Sequence, residues 1–285
     1  MVFLNLRAGL DRLGIRYRVN DYRYAKRNPA ALACIVGKPH VLDRIAWKNP
    51  ILFGASIYSH PLDDPGLLDR LPVKKVLVPG EWMKVMCNPY WQHAVAAWPV
   101  GIDTERWRPT SHDKKDIDVL LYDKVRWKHG DFEASLIRPI RSALRQYGLS
   151  SMELRYGSYR EDDFHAALGR CRSMIFLCEH ETQGIAYQQA LSCDVPILAW
   201  DRGGYWEDPA YFPHKVTFQP VTSVPYWDER CGGKFKDAAA FPEAWNSFWE
   251  EVQAQRLRPR DYILENLTLE RCAQEYCSFA SSVSE

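Results

Sequence analysis

Apolar residues at Phe3, Leu6, Leu10 and Leu13 recur every three or four positions, and Gly14 follows them. That spacing places the four on one side of a helix, with Arg7, Asp11 and Arg12 on the other. Residues 2–13 are therefore expected to form an amphipathic helix that stops at the glycine. The pattern then changes. Residues 31–36 (ALACIV), 51–58 (ILFGASIY), 73–79 (VKKVLVP) and 94–101 (AVAAWPVG) are short apolar runs bounded by Pro, Gly, Asn or Asp. Such runs predict buried strands. Short helical patterns separate them, including residues 81–86.

A polar stretch after Pro109, TSHDKKD (110–116), has the composition of a linker. Beyond it the alternation restarts. Strands are expected at 117–122, 152–157, 173–178 and 195–200, and helices at 132–147, 161–168 and 184–192. Strands alternating with helices imply right-handed βαβ units and a parallel, doubly wound sheet. Ligands of such sheets bind beyond the carboxyl ends of the strands. Residues 241–254 and 268–280 again have helical spacing, with Thr268 as a candidate N-cap.

Composition narrows the picture only slightly. The 285 residues carry a net charge of +1, but residues 1–109 have 16 Lys+Arg against 9 Asp+Glu, and the remainder has 21 against 27. A basic half and an acidic half suggest two domains meeting different partners, with an anionic partner for the first. None of the eight cysteines forms a C-x-x-C pair, and several lie in apolar runs where a thiol behaves as a small hydrophobe. A reducing cytoplasm is the simplest context. No apolar run approaches the roughly 18 residues a membrane-spanning helix needs, so membrane contact is expected to be peripheral. A pI of about 7.6 and the lack of a recognisable module argue against nucleic acid, despite the basic-aromatic DYRYAKR at 21–27.

The densest chemistry lies in CEHETQGIAYQQALSCDVPILAWDRGG (178–204). A buried strand ends, an acidic loop follows, and Thr182 is placed to cap a helix starting near Gln183. Gly184 in the first turn lets a ligand approach the backbone, and the helix N-terminus offers free N–H groups suited to a diphosphate. Glu181 can accept hydrogen bonds from sugar hydroxyls, and Gln189 lies two turns along the same helix.

This stretch resembles the donor-site signature of GT-B glycosyltransferases, especially family 4. In that family a glutamate, seven residues and a second glutamate flank a glycine-containing turn. Glu181 matches the first glutamate, Gly184 the glycine, and VPILAW (195–200) the following strand. Gln189 stands where the family has the second glutamate. The passage 77–109 is similar to the family's run into its linker, through Val100, Gly101, Ile102, Asp103, Trp107 and Pro109. The basic loop YDKVRWKHG (122–130) supplies Lys124, Arg126 and Lys128, where related enzymes neutralise the departing diphosphate.

The resemblance implies two Rossmann-like domains with parallel sheets facing across a cleft, at 1–109 and 110–285, with the last helix crossing back. It implies that Glu181, Lys124 and Arg126 act on the donor, with Gln183, Gly184, Ile185, Gln189 and Lys128 binding it. The implied activity is a metal-independent, retaining transfer from a nucleotide sugar to a glycan or lipid-linked saccharide. No cofactor beyond the donor substrate is implied. The location implied is the cytoplasm, with membrane contact through the basic half. His60, beside Asp63 and Asp64, is the candidate for a cleft residue or general base. Residues 223–235 read equally as a cleft loop or a salt-bridged surface turn. Members of the family usually open on a strand and a glycine-rich turn, whereas here Met1 lies at the start of the first helix. That departure and Gln189 favour the alternative of a non-catalytic nucleotide-sugar-binding homologue. A nucleotide-sugar epimerase of the same fold is a further alternative.

Overall fold

The structure is a computed structural model that describes residues 1–55, 57–110 and 114–284. Residues 111–113 of the expected linker, and residue 56 in the expected strand 51–58, lie outside the described residues. The chain divides into two compact units. One comprises Met1–Asp103 with Asn266–Glu285, and the other Thr104–Glu265.

The first unit opens on α1 (Val2–Arg12), the helix expected from the leucine spacing. The basic-aromatic stretch becomes a short helix, α2 (Tyr22–Arg27), whose N-cap Asp21 accepts from the Tyr24 N–H at 2.9 Å. Then come β1 (Ala33–Ile35), β2 (Ile51–Gly54), α3 (Leu67–Arg70), β3 (Val73–Val78), α4 (Glu81–Trp91) and β4 (Val95–Ala97). The four strands are parallel and lie in chain order. β1 uses only half of the apolar run 31–36. The buried Asn49 amide donates to Asn28 O at 2.9 Å and Ala31 O at 2.8 Å, so a side chain satisfies carbonyls just ahead of the strand. Leu6 of α1 packs with Leu52, Leu77, Trp98 and Val100 in the core.

The second unit alternates β5 (Ile117–Asp123), α5 (His129–Phe132), a π turn (Glu133–Ile137), α6 (Arg138–Gln146), β6 (Ser151–Arg155), α7 (Glu161–Arg170), β7 (Cys171–Leu177), α8 (Ile185–Ser192) and β8 (Ile197–Trp200). It continues through β9 (Gly232–Phe235), α9 (Phe241–Gln253) and α10 (Pro259–Asn266). All five strands are parallel in the order β6-β5-β7-β8-β9. β9 was not expected, because two glycines carry no strand pattern. The segment before it does hold ion pairs, Arg230 with Asp228 and Glu265 at 2.7 Å each. Arg260 ties the start of this unit to its helices, donating to Ser192 O at 2.5 Å and Thr104 O at 3.2 Å.

The final helix, α11 (Leu269–Ser284), belongs to the first unit, where Ala273 and Tyr276 join the core around Leu6. Thr268 Oγ1 accepts from the Arg271 N–H at 3.2 Å, the cap its position predicted.

Candidate functional site

The strand order of the second unit reverses between β5 and β7. From β5 the chain goes out to β6 on one side, then returns to β7 on the other. Helices that follow these two strands leave in opposite directions, which opens a crevice at their carboxyl ends. Asp123 and Leu177 are the last paired residues there. The residues immediately after them are Lys124 to His129 and Cys178 to Gly184, so topology brings together two segments some fifty residues apart in the chain.

At the centre Lys124 Nζ forms an ion pair with Glu181 Oε1. Both side chains are buried, at 11% and 7% exposure. Burial is the largest single influence and works against the Lys124 charge, but the Glu181 carboxylate, together with Cys178 and Tyr156, leaves the ammonium pKa above its ordinary value. The ammonium also lies 4.5 Å from the centre of the Tyr156 ring. Glu181 is further held by its N–H, which donates to Thr222 O at 3.0 Å.

The basic loop is shaped by a residue that the sequence did not single out. Glu179, 2% exposed, accepts from the Arg126 and Trp127 N–H groups through Oε1, both at 2.8 Å. Burial raises its pKa, while those backbone donors act to lower it. The exposed Arg126 guanidinium lies 3.2 Å from His180 Nδ1 and donates to His180 O at 3.3 Å. Lys128 adopts a left-handed conformation (φ 51°) at the start of α5, its ammonium 3.9 Å from Glu207. Glu207 pairs more closely with Arg202, at 2.7 Å. On the far side of the loop Asp123 Oδ2 contacts His129 Nε2 at 2.7 Å, with Arg155 3.4 Å from the same oxygen.

His180 reports the local potential. Burial first, and then Arg126, Arg202 and Lys124, push its pKa down from 6.5 to about 3. Because the folded value is depressed, its stabilising contribution is complete above pH 6.5 and is lost as pH falls towards 3. The loss amounts to about 1.4 kcal/mol per pH unit inside that window. Urea denaturation at pH 7 and pH 5 should therefore show a fall about 2 kcal/mol larger for the wild type than for His180→Gln. Equal falls would mean that the imidazole is not kept neutral by its surroundings.

The helix of the signature starts at Ile185, two residues after the start that a Thr182 cap implies. Gly184, not Thr182, is the N-cap of α8, and it takes a left-handed conformation (φ 75°). Thr182 therefore does not cap this helix at Gln183. Gln183 is buried, and its carbonyl accepts from Gln188 Nε2 at 2.7 Å. Ile185 is the first helical residue, and Gln189 is buried one turn on. His60 belongs to the first unit and is 1% exposed. Its Nδ1 accepts from the Leu62 N–H at 3.1 Å, and its ring meets Tyr90 edge-on at 4.9 Å. Asp63 closes the same turn, accepting from the Ser59 and His60 N–H groups. Lys124, Arg126 and Lys128 thus follow β5, Glu181, Gln183, Gly184 and Ile185 follow its neighbour β7, and His60 has a capping task in the other unit. Glu179, His180 and Arg202 are the additions. Their only sequence signal was membership of an acidic loop or a position just after a strand.

No helix among the described residues is long and apolar enough to cross a membrane. No family model and no curated protein matches the sequence. Solved structures do resemble the fold. The structure of accessory secretory proteins 1, 2 and 3 of Streptococcus pneumoniae aligns with 92% of this chain at a TM-score of 0.58 and 14% identity. Sucrose-phosphate synthase from Thermosynechococcus elongatus aligns with 92% at 0.57 and 11% identity. The pneumococcal O-GlcNAc transferase GtfA, solved with UDP and GlcNAc, aligns with 92% at 0.53 and 12% identity. This chain spans 55%, 76% and 59% of those three chains respectively. Two α/β units with parallel sheets, and structural neighbours of this kind, give the chain the fold of the GT-B glycosyltransferases.

Proposed function

We propose that the second unit binds a nucleotide-sugar donor and that the chain is a glycosyltransferase. The observation that carries this reading is the buried Lys124–Glu181 pair at the strand-order reversal, with the exposed Arg126 and Lys128 on the same loop. A donor diphosphate is an anion that gains charge as the sugar leaves. Fixed cations stabilise that charge most where water is scarce. In the proposed arrangement Arg126 and Lys124 face the diphosphate, and the first N–H groups of α8, exposed by Gly184, hold its other oxygens. Glu181, fixed by Lys124, accepts from sugar hydroxyls. Glu179 positions the loop that carries Arg126. Gln183, Ile185 and Gln189 line the donor site, and Lys128 adds charge at its rim. His60, with its Nδ1 used in a cap, is assigned no proton transfer. The basic first unit is proposed to receive an anionic glycan or a lipid-linked saccharide, with peripheral membrane contact for the latter. The pneumococcal neighbour solved with UDP and GlcNAc supports the donor class.

Calorimetry with UDP, GDP, ADP, dTDP and CMP tests the reading. One diphosphate should bind, and ligand at 100 times its Kd should add about 2.7 kcal/mol of stability. Arg126→Ala should weaken that binding about tenfold, the size of one lost charge-assisted hydrogen bond. Because Arg126 is exposed, its fold should survive. If no nucleotide binds, the reading fails. Gln189, in place of a second carboxylate, favours one other outcome, a protein that binds the donor without turning it over. Slow donor hydrolysis without acceptor separates the two.

A further inference from the structure

The first unit holds a feature that donor binding does not use. Among the described residues β1 pairs with β2 on one side and with no strand on the other. Ala33 donates to Pro50 O at 2.9 Å, so it faces β2. Alternation along a parallel strand then turns the N–H and C=O of Cys34 towards the open side. A cavity of about 1000 Å³ borders this strand. Its lining includes the edge residues 31–35, residues 15–18, Leu10 of α1, and Tyr276 and Ala280 of α11. Residues 15–18 lie in no helix or strand. An unpaired strand edge beside apolar side chains from two helices is the surface that an added strand covers.

We propose that this cavity takes an extended segment of a partner polypeptide, which pairs with the open edge of β1 and turns apolar side chains towards Leu10, Tyr276 and Ala280. Charge indicates what flanks that segment. Arg16 lines the cavity, and Arg23, Lys26 and Arg27 stand on the adjoining α2. All four are exposed and form no ion pair among the described residues. The two acids in the lining are already engaged. Asp11 accepts from the Tyr17 hydroxyl at 2.6 Å, and Asp21 caps α2 and pairs with Arg18 at 3.2 Å. The partner segment therefore carries carboxylates beside its apolar stretch. A three-residue edge is too short to template broad aggregation, so register depends on these cations.

The test uses the full chain and a fluorescein-labelled peptide of alternating valine and threonine with paired glutamates at each end. Fluorescence anisotropy should show saturable binding, weakened by a central proline in the peptide. Cys34→Pro removes the one N–H that faces the open side and leaves the bonds of Ala33 to β2 intact. It should weaken binding about tenfold, whereas Cys34→Ala should not. In the wild type, the peptide should slow hydrogen exchange at the Cys34 amide, which keeps the test decisive if Cys34→Pro does not fold. Absence of binding, equal affinity for a folded Cys34→Pro, or no protection of that amide overturns the proposal. So does saturable binding of polygalacturonate with none of the peptide, which would make the cavity a site for an acidic glycan. Dimerisation of the chain alone in light scattering, abolished by Cys34→Pro, would make the occupant a second copy.

Discussion

Lys124→Met should lower the unfolding free energy by about 3–5 kcal/mol, the range for removing one partner of a buried ion pair. The cost arises less from the lost attraction than from Glu181, which stays behind as a 7%-exposed carboxylate without its ammonium. The Cys178 thiol 3.6 Å from Glu181 Oε1 and the hydrogen bond from the Glu181 N–H to Thr222 O are neutral contacts and do not replace a cation. Lys124→Met/Glu181→Leu removes both charges, and should recover most of the loss, because well-packed apolar replacements of buried pairs are often neutral. Donor binding should not recover with it. Guanidinium denaturation and nucleotide-sugar calorimetry on the two variants separate these effects. A single-variant cost below about 1 kcal/mol would place the pair with exposed, screened pairs and remove the core of the proposed site.

The second large effect is expected at Gly184. A Cβ built there would lie 2.0 Å from Tyr187 Cε1, and φ is +75°. The ring cannot swing aside cheaply. Tyr187 is fully buried, and its hydroxyl donates to Tyr226 O at 3.1 Å and accepts from the Tyr226 N–H at 3.0 Å. Gly184→Ala should therefore cost about 2–5 kcal/mol, about 1–2 from left-handed backbone and 1–3 from overpacking. Gly148 provides the control. It has a similar φ of +69° but nothing within 4 Å of its would-be Cβ, so Gly148→Ala should show only the backbone part. Equal losses in thermal or urea unfolding would show that sterics at Tyr187 contribute nothing. At Gly184 alone, nucleotide affinity should fall as well, because the first turn of α8 must shift.

Much of this architecture was legible in the chain. The 3-to-4 spacing of Phe3, Leu6, Leu10 and Leu13 gave α1, and the continuous apolar runs around Leu121, Ile175 and Leu198 gave the buried central strands. Those signals are strong because burial on both faces of a parallel sheet leaves no room for polar residues. The signature from Glu181 to Gly184 was also legible, since a strand-to-helix turn demands a small residue where the backbone is left-handed. The weak points were local. Gly232 and Gly233 hide β9, and Thr182 has the side chain of a cap although α8 starts only at Ile185. Side-chain capping preference is worth about 1 kcal/mol, less than the tertiary packing of Tyr187 that fixes the turn.

The sequence by itself determined the α/β alternation, the parallel sheets and the cluster of titratable residues after two strands, because periodicity and burial act over a few neighbouring residues. Only the tertiary structure decided that Lys124 and Glu181 share one pair and that Glu179 holds the basic loop. It alone decided that His60 caps a turn and that the edge of β1 lies open beside a cavity. Each of these depends on which strands become neighbours. The order β6-β5-β7 is set by the packing of the whole sheet, and no local pattern near Lys124 or Glu181 encodes it.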